Sequence, residues 1–161
     1  MKNEITEKFG GQLRVRVCGI LVQDQKVLMV KHRGLSDKGY FWSPPGGGAT
    51  FQTSLVDSLK QEFLEETGLL VEVHELLFVN EFHKDPLHAL EIFFRVTPTD
   101  GTLRMGHDPE LRPEAQIIES IAFWGIEDFL AENGPQLHSA FQNLGQVEQI
   151  LKLRGYFQNW K

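Results

Sequence analysis

Pro44-Pro45-Gly46-Gly47-Gly48 is the sharpest break in the chain. Proline removes a backbone donor and glycine weakens helix and strand interiors alike, so regular structure must stop here and start again. It restarts at Ser54. Ser54 with Asp57 three residues on forms a helix N-cap, and Gly68 suits the C-terminal cap, which predicts a helix over 54–67. Upstream, Leu13–Val22 reads as a long strand, Gln23-Asp24-Gln25 as a turn, and Lys26–Lys31 as the hairpin partner. Downstream, Val71–Phe82 and Leu87–Val96 read as strands joined by His83-Lys84-Asp85-Pro86. A polar loop over Thr97–Ala115 and a last strand over Ile117–Trp124 follow. Leu137, Phe141, Leu144 and Val147 fall at helical spacing and predict a closing helix over Gln136–Leu153. Strands, helix, strands, helix is an α+β order, with a mixed β-sheet between helices. Nothing divides the 161 residues, so one domain over 1–161 is expected, with Met1–Gly11 as a flexible end.

The helix over 54–67 carries carboxylates where a soluble helix should not need them. Leu55, Val56, Leu59 and Phe63 form an apolar stripe. At about 100° per residue, Glu66 lies about 20° from Leu59, inside that stripe, while Glu62 and Glu65 lie about 60° and 120° off on one side. Three like charges at these spacings repel. Glu65 and Glu66 also occupy the last turn, where the helix dipole disfavours anions by about 0.3–1 kcal/mol each. A cation should offset this cost, and Lys60 points to the far side of the wheel. A hard divalent ion with oxygen ligands fits best. The competing reading is a solvated acidic face, which accounts for Glu62 and Glu65 but not for Glu66.

Charge and composition exclude several classes. Sixteen Lys+Arg against twenty-two Asp+Glu leave a net charge of −6, and no basic run appears, so no nucleic-acid partner is expected. No apolar run is long enough to span a membrane, and the polar N-terminus lacks a secretory pattern. The single Cys18 in a strand-like context reads as a small buried hydrophobe, and a reducing, cytoplasmic setting is expected. His32, His74, His83, His88, His107 and His138 show no zinc-ligand spacing.

Gly47 to Leu69 resembles the Nudix box, G-x5-E-x7-R-E-U-x-E-E-x-G-U, where U is a bulky aliphatic residue. Gly47 matches the leading glycine, and Glu62-Phe63-Leu64-Glu65-Glu66-Thr67-Gly68-Leu69 matches the tail, with aromatic Phe63 at the first U. Trp42-Ser43-Pro44-Pro45-Gly46-Gly47 is similar to the usual lead-in. Thr53 stands where the first box glutamate would be and Gln61 where the arginine would be. In the family these two pair with each other, so both have become neutral together. The resemblance implies an α/β/α sandwich and Mg²⁺-dependent hydrolysis of a nucleoside diphosphate linked to another moiety, with Mn²⁺ as an alternative ion. It assigns Glu62, Glu65 and Glu66 to metal, with the Gly47 carbonyl as a further ligand. General-base candidates are Glu62, then Glu110, then Glu114. Arg33 resembles the family's phosphate-facing basic residue, with Arg104 and Arg112 as weaker candidates, and Gly46, Gly47 and Gly48 would let substrate approach the backbone. Trp42, Phe78 and Phe82 are candidates to stack on a base, against the commoner fate of core packing. The expected partner is a small nucleotide substrate, and a homodimer is compatible with it. Two other classes stand against the enzyme: a non-hydrolysing nucleotide sensor, supported by Thr53 and Gln61, and an interaction domain, which leaves the carboxylates unexplained.

Overall fold

The computed structural model describes residues 2–109 and 111–160. Two sheets form its frame. In the first, β1 (Leu13–Ile20) lies between β5 (Gly46–Gly48), antiparallel, and β7 (Leu87–Gly101), parallel. Next come β6 (Leu69–Lys84), antiparallel to β7, and β9 (Gly155–Trp160), parallel to β6. In the second, β3 (Lys26–Arg33) pairs with β2 (Val22–Gln23) and β4 (Tyr40–Ser43) along one edge and with β8 (Ile118–Trp124) along the other, all antiparallel. The fold is α+β with a mixed sheet, as the element order implies.

Helix α2 (Leu55–Thr67) forms as its caps require. The Ser54 hydroxyl accepts from the Asp57 N–H at 3.0 Å, and Gly68 closes the helix at φ 75°, donating to Leu64. Leu59 and Phe63 are fully buried in a cluster with Val17, Leu69, Val71 and Val96, which seats the helix on β1, β6 and β7. Leu55 and Val56, expected in the same stripe, stay exposed at the first turn, where the helix overhangs the sheet.

Four expectations are corrected. Strands β1 and β3 are not a hairpin: only Leu21–Gln23 turns back on Lys26–Leu28, and β1 pairs instead with β5 and β7. The glycine segment is a short strand on β1, not a break in regular structure. The N-terminal residues form helix α1 (Lys2–Phe9), and the Gly11 N–H donates to the Pro86 carbonyl at 3.0 Å, which docks the segment on the β6–β7 turn. No continuous helix spans 136–153. After α3 (Ile126–Ala131) the chain makes two short 3₁₀ segments, Ser139–Phe141 and Val147–Lys152, broken by Asn143 at φ 60°. Leu137, Phe141, Leu144 and Val147 are nevertheless all buried, against Phe93, Trp124 and Phe129. Their spacing reported burial, and the backbone found another way to deliver it.

Candidate active site

The last two turns of α2 aim carboxylates at β5. Glu66 is 5% exposed, and its Oε2 accepts from the Gly46 N–H at 3.0 Å. Burial first, then the neighbouring Glu62 and Asp108, push its carboxyl well above the usual range, opposed by the Gly46 hydrogen bond and Arg16. Glu62 lies flat on Gly47: a Cβ there would sit 2.4 Å from the Glu62 Cδ and Oε2. Only glycine leaves room for that carboxylate. Glu65 is turned aside, its Oε1 accepting from Gln61 Nε2 at 2.9 Å. Gln61 therefore orients Glu65 rather than Glu62, and among the described residues no hydrogen bond joins it to Thr53.

The loop after β7 is stitched to the C-terminal end of α2, where helix carbonyls need donors. The N–H groups of Arg104, Gly106 and His107 donate to the carbonyls of Thr67, Glu66 and Glu65 at 2.8, 2.8 and 3.3 Å. The loop beyond is held by Gln116, whose side chain accepts from the Asp108 N–H at 2.7 Å and donates to the Asp108 and Leu111 carbonyls at 2.7 and 2.8 Å. This fixture brings Asp108 beside Glu62 and Glu66. Of the acidic residues expected from this loop, Glu110 lies outside the described residues. Glu114 is exposed and pairs with Arg112 at 3.7 Å, away from the carboxylates.

Two adjoining cavities open from this point. The smaller, about 110 Å³, is floored by Gly46, Gly47, Gly48, Glu62, Glu66 and Asp108. The larger, about 260 Å³, has Phe41, Phe82, Leu35, Pro86 and Leu87 in its wall. Arg16, Leu35 and Phe41 line both. Arg14 lies over Gly48 and covers the Phe9 ring, with its guanidinium carbon 3.9 Å from the ring centroid. His32 lines the smaller cavity, and burial, reinforced by Arg16, lowers its imidazole to about 4, so it is neutral at pH 7.

A divalent cation suits these donors. They are all oxygen, and Glu66 is a buried carboxylate crowded by like charges, a balance that a cation would reverse. Glu62 and Glu66 fit directly. Among the described residues, no three acidic, histidine or cysteine groups already converge on one point, and Glu65 is held aside by Gln61.

The NUDIX domain family model matches residues 12–142. The chain belongs to the Nudix family. The box segment of this Nudix protein is β5, its connecting loop and α2, so the resemblance and the carboxylate geometry coincide. The chain is similar to a curated ADP-ribose pyrophosphatase of Methanocaldococcus jannaschii, 34% identical over 96 residues, 58% of this chain and 56% of the relative. The match thus spans about half of that relative's length. Among solved structures it is similar to a MutT Nudix hydrolase from Burkholderia pseudomallei: TM-score 0.64, 20% identity, 88% of this chain and 97% of that one. An ADP-ribose pyrophosphatase from Streptococcus suis has TM-score 0.60 and 20% identity over 89% of this chain and 98% of that one. At such identities the structures establish the fold alone.

Other expected residues fall elsewhere. Arg33 pairs with Glu119 at 3.2 Å and reaches the Gln116 carbonyl at 3.4 Å, outside both cavities. The Arg104 stem packs on Gly68. Trp42 packs on Trp124 with ring centroids 4.5 Å apart, and Phe78 stacks on Phe93 at 4.4 Å, so both are core. Phe82 does line the larger cavity. Cys18 is buried, and burial raises its thiol pKa further from reactivity. Sequence reasoning passed over Arg14, Arg16, Asp108 and His32. The signal for the two arginines was present, because Leu13-Arg14-Val15-Arg16-Val17 alternates and puts both on one face of β1.

Proposed function

We propose that this Nudix protein hydrolyses the phosphate anhydride of a nucleoside diphosphate linked to another moiety, with a divalent ion held by Glu62 and Glu66. Mg²⁺ is the expected ion, with Mn²⁺ as a substitute. The observation that carries the reading is Glu66: a buried carboxylate, raised in pKa by burial and by Glu62, set against a glycine strand at the mouth of a cavity. Such a group is costly unless a cation completes it. The curated ADP-ribose pyrophosphatase relative supports a diphosphate-linked substrate, and ADP-ribose is the first candidate.

When bound, the metal would neutralise phosphate oxygens and lower the pKa of bound water. The residues of the chain then have separable tasks. Glu62 and Glu66 hold the ion, with the Gly47 carbonyl as a further ligand, and Glu65 can join once its carboxylate leaves Gln61. Gly46, Gly47 and Gly48 let the phosphates come close to the backbone. Glu62 and Asp108, the acidic groups that share the smaller cavity with Glu66, would accept a proton from the attacking water, with Glu110 as a further candidate. Catalysis on this account is mostly positioning and charge stabilisation.

A panel of ADP-ribose, nucleotide sugars, dinucleotides and nucleoside triphosphates, assayed with Mg²⁺ for phosphate-bearing products, tests the reading. Cleavage at the anhydride of at least one diphosphate-linked compound is expected. Tight binding of that compound without turnover would make the protein a sensor instead.

A further inference from the structure

Strand β1 sets Arg16 at the junction of the two cavities, the smaller lined also by Glu62 and Glu66 and the larger by Glu91. Its Nη1 donates to Glu91 Oε1 at 3.5 Å, and its side chain is 28% exposed. A guanidinium carries five N–H donors. Among the described residues that long contact is the only hydrogen bond this guanidinium makes, so most of its fork faces the cavities.

Glu91 is held far more firmly than Arg16. It is 4% exposed, and its Oε2 accepts from Asn80 Nδ2 at 2.9 Å and from His138 Nε2 at 2.6 Å. His138 Nδ1 accepts the Ala140 N–H at 3.2 Å, which assigns the ring proton to Nε2. Asn80 and His138 are each 2% exposed. Burial raises the Glu91 carboxyl, but His138, Arg16 and Asn80 together outweigh it and lower it to about 2. Two buried side chains, Asn80 on β6 and His138 just before the 3₁₀ turn Ser139–Phe141, thus fix one carboxylate, that of Glu91 on β7. Its remaining oxygen faces an arginine whose other donors find no acceptor among the described residues. An ion pair serving stability alone would leave those donors no reason to line a cavity.

We propose that Arg16 is a substrate-contacting residue that takes the non-metal side of the phosphate anhydride, and that Glu91, His138 and Asn80 are positioning residues that hold its guanidinium between the two cavities. The cavity walled by Phe41 and Phe82 then receives the organic moiety beyond the anhydride. The turnover arm of the test rests on the hydrolase reading, and the binding arm does not.

Binding is read by calorimetry with α,β-methylene-ADP in Mg²⁺, beside Mn²⁺ alone. Arg16→Gln should weaken the nucleotide about ten- to hundredfold, as loss of charge-assisted hydrogen bonds implies, and leave Mn²⁺ affinity within about twofold. Arg16→Lys keeps the charge and loses the planar fork, so a smaller loss is expected. In turnover, Arg16→Lys and Glu91→Gln should each raise KM by about three- to tenfold with kcat within about threefold. Combined, they should raise KM no further than Arg16→Lys alone, because Glu91 acts through Arg16. If Glu91→Gln does not fold, Asn80→Ser replaces it in the cycle. Unchanged nucleotide affinity in Arg16→Gln overturns the proposal, as does wild-type protein that binds no α,β-methylene-ADP. A KM effect of Glu91→Gln that persists undiminished beside Arg16→Lys refutes the positioning role. If no compound is turned over but Arg16→Gln loses nucleotide affinity, the hydrolase reading falls and Arg16 stands.

Discussion

Alanine at two adjacent glycines should separate metal binding from folding. At Gly47 a Cβ would lie 2.4 Å from the Glu62 Cδ and Oε2. Those atoms are the far end of a flexible side chain, so the carboxylate can swing away at little cost. At Gly46 the Cβ would lie 2.2 Å from the Val17 carbonyl oxygen and 2.8 Å from the Cys18 Cα. Those are backbone atoms of a paired strand and cannot move alone. Overpacking of that kind costs about 1–3 kcal/mol, which for a domain of this size lowers Tm by about 2–12 °C. Gly47→Ala should shift Tm by no more than about 2–3 °C, since replacing glycine also restricts the unfolded chain by about 0.4–1 kcal/mol. Its metal affinity should fall at least about tenfold, because losing even a residue that only orients a ligand costs about 10–100-fold and here a ligand is displaced. Thermal melts with EDTA and Mn²⁺ titration calorimetry on both variants are the assays. Unchanged metal affinity in Gly47→Ala would show that Glu62 does not hold metal from its seat on Gly47, and equal Tm losses at both positions would show that its carboxylate cannot swing away.

Glu66→Gln keeps an acceptor for the Gly46 N–H, so circular dichroism should show an intact fold while turnover drops at least a hundredfold, on the order expected for one essential electrostatic group. Gln61→Ala should release Glu65 and change the metal dependence of kcat by about two- to tenfold; no change would make the 2.9 Å hydrogen bond incidental. Thr53→Glu with Gln61→Arg should be tolerated better than either alone, and additive effects on Tm and rate would show that the two positions do not touch. In the Glu66→Gln background, which removes the opposing titration of that raised carboxyl, stability should fall in two stages on acidification, followed by urea midpoints from pH 8 to pH 2. His32 is lowered from 6.5 to about 4, so its contribution is full above 6.5 and lost as pH falls toward 4. Glu91 is lowered from 4.5 to about 2, so its contribution, on the order of 3 kcal/mol, is full above 4.5 and lost as pH falls toward 2. Glu91→Gln should flatten the lower stage and leave the upper one.

Helix α2 was legible because everything that makes it is local: a serine cap, a glycine stop and a period of 3.6. Glu66 was legible for the same reason, since the wheel alone puts it on the buried face. Strand pairing was not. The alternation in Leu13–Val17 fixes which side chains share a face, yet nothing local says that β7, some seventy residues on, is the neighbour rather than β3. The same gap hid the site's second half. Arg16 and Glu91 meet only because β1 and β7 align in register, Arg16 opposite Glu91, and Asp108 arrives only through the Gln116 staple. The closing segment failed differently. Apolar residues at 137, 141, 144 and 147 mimic a helix, but left-handed Asn143 followed by Gly145 breaks the backbone, and 3₁₀ turns bury the same side chains.

Metal-dependent cleavage of a diphosphate anhydride can be followed by product analysis in H₂¹⁸O. Protein stripped with EDTA and then supplied with ADP-ribose and Mg²⁺ should yield AMP and ribose 5-phosphate, with ¹⁸O in one of the two new phosphates. The stripped protein without added metal should yield neither. Equal product in EDTA, or ¹⁸O on carbon rather than phosphorus, would contradict the account.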